Sequence, residues 1–306
     1  MRVRFYTPRK LMRIVTLATV ATEFLNRPGS ASSTQRSYES TLLPLLDQYG
    51  QTPIEILTRP TLEEYLNSLT HLAYTTHRRH QAIVQSLLNF ALERGHIKVN
   101  PIAKLKQRKP DSNKDEHDSD ATIRYLSKEQ LQHLYGSVQA NTRMNALVHL
   151  LHQTGARISE ILALDLAAID QGNYKFQVIG KGNKQRWCFY SLDAAKALER
   201  YLRYDRHPDC AALFTAQQPI SHEVNRLSYA TAYKDWKQLT QNSHLIGIRL
   251  HDLRHTFATE RVGLMGIEEL RALMGHERIQ TTLRYQKVTS ARAEVVAKRA
   301  LSDLSK

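Results

Sequence analysis

The sequence predicts a mainly α protein with a small antiparallel β-sheet, divided into an N-terminal all-α domain and a C-terminal α+β domain. Three observations carry that prediction. Apolar residues recur at helical spacing along most of the chain. Two short runs, Tyr174 to Ile179 and Arg186 to Ser191, instead alternate apolar and polar residues around Gly180-Lys181-Gly182-Asn183, as a β-hairpin does. Gln107 to Thr122, QRKPDSNKDEHDSDAT, is polar, contains Pro110 and lacks any apolar period, which marks an exposed connection. With 306 residues the chain exceeds the usual size of one compact domain. The expected division is 1–106, a linker over 107–122, and 123–306.

The N-terminus, MRVRFYTPRKLMRIVTLATVATEFL, has a basic start and a short apolar run at Ile14 to Ala21. Thr16 and Thr19 interrupt that run, and it falls far short of the ~20 apolar residues that span a bilayer. It reads as a basic arm leading into a helix, with no membrane partner. A helix follows from Ser32, with Ser32 or Ser33 as its cap and Tyr38, Leu42, Leu45 and Leu46 on one face. The next starts after Pro60 and lines up Leu62, Tyr65, Leu66 and Leu69. A third runs from Tyr74 to Gly95 and carries His77, Arg78 and Arg79 near its start, while Pro101 opens a last short helix.

In the second half, Ser127 and Gln130 have the spacing of a capping box. Ala146 to Gln153 forms an apolar helix that ends at Thr154-Gly155, and the next helix begins with Arg157. That position puts a guanidinium among unpaired N–H groups that already favour an anion, and Glu160, three residues on, shares its face. After the hairpin, helices over Leu192 to Tyr204 and Ser221 to Leu239 carry the chain to His251. His251, Arg254 and His255 share one helix face. Gly263 and Gly266 break the pattern, Gly275 ends the next helix, and His276 then occupies a rigid corner. Tyr285 follows nine residues later. A final amphipathic helix spans Ala291 to Leu304, with Ala293, Val296, Ala300 and Leu304 on one stripe.

Lys and Arg number 43 against 29 Asp and Glu, a formal net charge of +14. An excess of that size favours polyanionic partners. Two cysteines, Cys188 and Cys210, make neither a metal-ligand spacing nor a disulfide framework, so a reducing, cytoplasmic location is the simplest expectation. The acidic run Asp115 to Asp120 lacks an oxygen-ligand loop pattern and reads as a solvated spacer. No metal and no cofactor is expected.

TGARISEIL at Thr154 to Leu162, VIGKGNKQR at Val178 to Arg186, HDLRHTFAT from His251 and LMGHERIQTTLRYQKV to Val288 are four separate boxes. In this order they resemble the tyrosine recombinase (phage integrase, Xer-like) family. The resemblance is firm over about Leu126 to Val288 and looser before it. It implies a core-binding (SAM-like) helical domain followed by the catalytic domain. It also implies a catalytic set of Arg157, Lys181, His251, Arg254, His276 and Tyr285, with Glu160 and His255 supporting them. Lys181 is chosen over its competitors by its place in GKGNKQR, leaving Lys184 and Arg186, with His77, Arg78 and Arg79, as candidates for contact with the DNA backbone.

These residue types suit attack on a phosphodiester. Arginine offers permanent charge in a planar fork that matches phosphate, histidine donates hydrogen bonds and moves protons, and a phenol with an ordinary pKa near 10 attacks only when activated. What the resemblance implies is a site-specific recombinase. Tyr285 forms a 3′-phosphotyrosyl bond, Lys181 protonates the leaving 5′-oxygen, and strands exchange between two sites through a Holliday junction. Its partners are then double-stranded DNA bearing a specific site and three more copies of the chain, a homotetramer associated with the nucleoid, with the C-terminal helix exchanged between protomers. A type IB topoisomerase-like nicking-closing enzyme and a non-catalytic DNA-binding regulator remain the alternatives.

Overall fold

The computed structural model describes residues 14–111, 123–180, 183–286, 298 and 301. The chain separates into two compact units, Met1–Ala121 and Thr122–Lys306. The mainly α fold class with small antiparallel sheets holds throughout the described residues.

The first unit contains α1 (Leu17–Leu25), α2 (Ser32–Tyr49), α3 (Arg59–Ser68) and α4 (Tyr74–Glu93). The hydroxyls of Thr16 and Thr58 accept the N–H groups of Thr19 and Thr61 and so start α1 and α3. Leu17, Leu42, Leu45, Leu62, Tyr65, Val84 and Leu87 then close a single apolar core. Two expectations need correction. Ala31 has the extended dihedrals of the N-cap of α2 and makes no side-chain cap, so Ser32 and Ser33 lie inside the first turn rather than capping it. Pro101 opens only a turn, because the Asn100 side chain accepts the Ile102 N–H and steers buried Ile102 into the core.

The second unit contains α5 (Lys128–Val138), α6 (Thr142–Thr154), α7 (Ile158–Ala163), β1 (Ile169–Asp170), β2 (Lys175–Ile179), β3 (Gln185–Phe189) and α8 (Leu192–Tyr204). These are followed by β4 (Thr215–Gln217), β5 (Val224–Arg226), α9 (Tyr229–Asn242), α10 (Leu250–Arg261), α11 (Ile267–Met274) and α12 (Ile279–Leu283). The Ser127–Gln130 capping box forms. Strands β1, β2 and β3 make one antiparallel sheet in that order, and its register pairs Phe176 with Cys188 and Val178 with Arg186. Those four residues face inward, which puts a guanidinium on the buried side. The helix expected over Ser221 to Leu239 starts only at Tyr229, capped by Ser228. Its first residues pair as a hairpin instead, with Val224–Arg226 against Thr215–Gln217, and Arg226 is captured by the carbonyls of Leu162 and Leu164. Among the described residues no helix is long and apolar enough to cross a membrane. The helix expected over Ala291 to Leu304 lies outside the described residues except for Lys298 and Leu301.

Gly155 ends α6 with φ of 61°, and a Cβ built there would stand 2.4 Å from Cδ1 of Phe257 on α10. The close approach lets α10 lie against the end of α6. Gly155→Ala therefore combines a left-handed alanine with an overfilled contact and is expected to destabilise the protein by about 2 to 4 kcal/mol. Denaturant unfolding checks this; a shift below about 0.5 kcal/mol would show that α10 can retreat freely.

Candidate active site

The site is built on the C-terminal end of α11. A helix leaves its last carbonyls without intrahelical donors, and the left-handed turn at Gly275, φ of 62°, exposes three of them in succession. Each meets an arginine. Arg186 Nε donates to the Leu273 carbonyl at 2.9 Å, Arg254 Nη2 to that of Met274, and Arg157 Nη2 to that of Gly275 at 3.5 Å. Arg254 also donates through Nη1 to the Gly155 carbonyl at the end of α6, so the negative poles of two helices hold one buried guanidinium. The Gly275 Cα lies so close to Arg186 that a Cβ there would stand 3.0 Å from Nη1.

Glu160 ties two of these arginines together. Its carboxylate accepts Nη1 and Nη2 of Arg186 at 2.9 and 2.6 Å, and Nη1 and the backbone N–H of Arg157 at 2.9 and 2.7 Å. Burial by itself would raise the Glu160 carboxyl, but the hydrogen bonds from Arg186 and from the Arg157 backbone, with the Arg186 charge, lower it to about 2. Burial, then the charges of Arg157 and Arg186, lower the Arg254 guanidinium to about 10, and it stays cationic at neutral pH. Two guanidinium groups thus share one carboxylate, and the third, Arg254, is held by backbone carbonyls. The surplus positive charge borders a cavity of about 610 Å³, lined by Arg157, Lys184, Arg186, Arg271, His276 and Arg278, with Glu277 and Thr281. An anion is the ligand such a cavity favours.

Three imidazoles and one phenol stand beside this charge. His276 follows Gly275 and is oriented by its Nδ1 contact with Thr282 Oγ1 at 2.9 Å. Its ring is parallel to that of Tyr285 with centroids 6.2 Å apart. Burial, then Arg254, Arg157 and Arg186, depress it to about 3, so it is neutral. His251 is likewise lowered by burial and then by Arg254. His255 meets His251 edge to face at 4.6 Å between centroids, and its Nδ1 lies 2.7 Å from the Tyr285 hydroxyl. Tyr285 is 8% exposed and packs with Phe257, Ala258, Leu270 and Met274. Burial pushes its phenol above the ordinary value, against the pull of Arg254, Arg284 and Arg157.

Of the residues singled out in the sequence, Arg157, Glu160, His251, Arg254, His255, His276 and Tyr285 come together here. Lys181 lies outside the described residues. Lys184 is exposed at the cavity. Two of the backbone-contact candidates are engaged inside the protein. Arg186, 9% exposed at its side chain, is engaged by Glu160 and Leu273 and acts as a strut between α7 and α11. His77 is buried, its Nε2 2.9 Å from the Leu66 carbonyl, because α4 turns that face onto α3. Arg78 is half-buried, while Arg79 is exposed and donates to Ser37 Oγ. Sequence reasoning missed the α11 carbonyls and Thr282. The carbonyls follow from the helix end that Gly275 marks; Thr282 leaves no signal beyond a hydroxyl six residues after His276.

With the geometry in hand, the class follows from comparison with known proteins. Residues 124–292 match the phage integrase family, and the chain belongs to that family. More narrowly, it is a Xer-like tyrosine recombinase. It is 29% identical over 277 residues to the tyrosine recombinase XerC of Corynebacterium glutamicum, covering 86% of this chain and 84% of that protein. Solved structures share its fold. The Tn1549 transposon integrase in complex with a circular intermediate DNA superposes with a TM-score of 0.74 at 18% identity, covering 94% of this chain and 99% of that one. A lambda integrase tetramer bound to a Holliday junction gives 0.66 at 15% identity, covering 86% and 76%.

Proposed function

We propose that this chain cuts and rejoins DNA at a specific site through a covalent phosphotyrosine, exchanging strands between two duplexes. Tyr285 Oη attacks the scissile phosphorus, the bond to the 5′-oxygen breaks, and the 3′-phosphate stays on the enzyme. The phenolic proton leaves to the neutral imidazoles or to solvent, and Lys181, assigned by the resemblance, returns one to the leaving oxygen. Reversal by another strand's 5′-hydroxyl restores the phosphodiester without an external energy source.

The observation that carries this reading is the run of three arginines on the last carbonyls of α11, joined through the short helix α12 to a phenol already hydrogen-bonded through its oxygen. Attack places negative charge on two non-bridging oxygens, and donors fixed in advance contribute several kcal/mol there without reorganising. Arg157 borders the cavity and retains an exposed flank, at 35% exposure, for the phosphate. Arg254, fully enclosed, supplies charge and holds the two helix ends.

The DNA in the Tn1549 and lambda complexes and the +14 charge support a duplex as substrate. The lambda tetramer supports four copies working on two paired sites. Unit 1 then binds the core site and unit 2 performs the chemistry.

The test is a nicked suicide duplex carrying the recombination site, found by screening fragments of the DNA beside the gene. Covalent capture, followed by exchange between two labelled duplexes, is the expected result. Capture without exchange would assign a nicking-closing enzyme, and binding without capture a regulator.

A further inference from the structure

The recombination chemistry asks for one more group, because a phenol that attacks phosphorus must be held with a lone pair aimed along the line of the departing 5′-oxygen. We propose that His255 aims Tyr285, with Nδ1 gripping the phenolic oxygen so that Oη is oriented before the phosphate arrives. This rests on the reading of Tyr285 as nucleophile.

Geometry selects His255 among the three imidazoles. His276 commits its Nδ1 to Thr282 and presents a parallel ring face to Tyr285, with centroids 6.2 Å apart. His251 meets the edge of His255 rather than the phenol. His255 is the imidazole within hydrogen-bond distance of Oη, at 2.7 Å, with ring centroids 5.6 Å apart. It stands one residue after Arg254 on α10, the helix pinned by the Gly155 and Met274 carbonyls. The grip on the phenol therefore inherits its position from the same anchor that fixes the arginine. Phe257, on the same helix, belongs to the buried apolar cluster that encloses Tyr285.

The contact is a tether and not a prior proton transfer. Burial, then His251, hold His255 at about 4, while burial raises the phenol above its ordinary 10. With the imidazole held low and the phenol held high, ionisation before attack is disfavoured. In the resting site the phenolic proton stays on oxygen, and the hydrogen bond to the histidine gives direction.

The test separates aiming from packing by where a replacement puts its polar atom. The amide of His255→Asn ends near the place of Nδ1, whereas that of His255→Gln reaches toward Nε2. Single-turnover capture on the suicide duplex is measured together with duplex affinity. Asn is expected to keep capture within about tenfold of the unaltered chain, and Gln to lose about a hundredfold or more, with affinity unchanged in both. Equal losses in the two variants, or Gln matching Asn, would overturn the assignment. If the unaltered chain itself forms no covalent product, the nucleophile reading fails, an outcome separate from that of the two variants.

Discussion

Tyr285→Phe is expected to lower covalent capture of a nicked duplex below detection, a loss of at least about 10⁴-fold. The reason is chemical: without Oη there is no atom to form the phosphoester. The fold should hardly notice. Phenylalanine fills the same place against Phe257, Leu270 and Met274, and the lost hydrogen bond to His255 costs about 1 kcal/mol. Binding to the duplex should persist, since the arginines around the cavity are untouched. A denaturing gel reads capture and a mobility shift reads binding. Capture that survives in the phenylalanine variant would mean that another group attacks phosphorus.

Glu160→Ala is expected to be the most damaging substitution for stability, at about 3 to 5 kcal/mol. It leaves the buried Arg186 guanidinium without a counter-charge and frees Arg157 from its orientation. Capture should fall with it, through Arg157. Denaturant unfolding and single-turnover capture at a temperature where the variant stays folded read the two effects separately. Unaltered stability would show that water or a neighbouring group neutralises Arg186 as well as the carboxylate does.

The same residue sets a pH dependence. A carboxyl lowered from 4.5 to about 2 on folding contributes stability that is fully present above about 4.5 and is lost as pH falls through about 2. The contribution is on the order of 3 kcal/mol, at 1.36 kcal/mol per unit. In Glu160→Gln that component of the acid limb of the stability curve should disappear. An acid limb identical to that of the unaltered chain would assign acid unfolding to other carboxylates.

Much of this was legible in the sequence. The boxes around Arg157, Arg254, His276 and Tyr285 carry chemistry-bearing residues at spacings the helices impose, and Gly155 and Gly275 announce helix ends. The inward placement of Arg186 was not legible, for a physical reason. Along β3, Trp187 and Phe189 are the residues a period of two would turn inward, yet they are 45% and 54% exposed, and Arg186, Cys188 and Tyr190 face the interior. Glu160 reverses the expected alternation, because a buried carboxylate on α7 gives an inward arginine a partner. The β4–β5 hairpin was hidden similarly: its strands are three residues long, too short for periodicity to register. His77 looked like part of a basic cluster because charge runs do not reveal which face a helix buries.

The partners of Arg186 and Arg254 at the end of α11 are peptide oxygens, and that has a consequence for how the protein can change. Every amino acid supplies the same oxygen, so exchanges of Leu273 or Met274 for other apolar residues leave the arginines' acceptors in place. Only a shift in where the helix stops would move them. The geometry is therefore encoded in a stopping point more than in the identities around it, and a lineage could rewrite this helix extensively while the constellation stayed fixed in space.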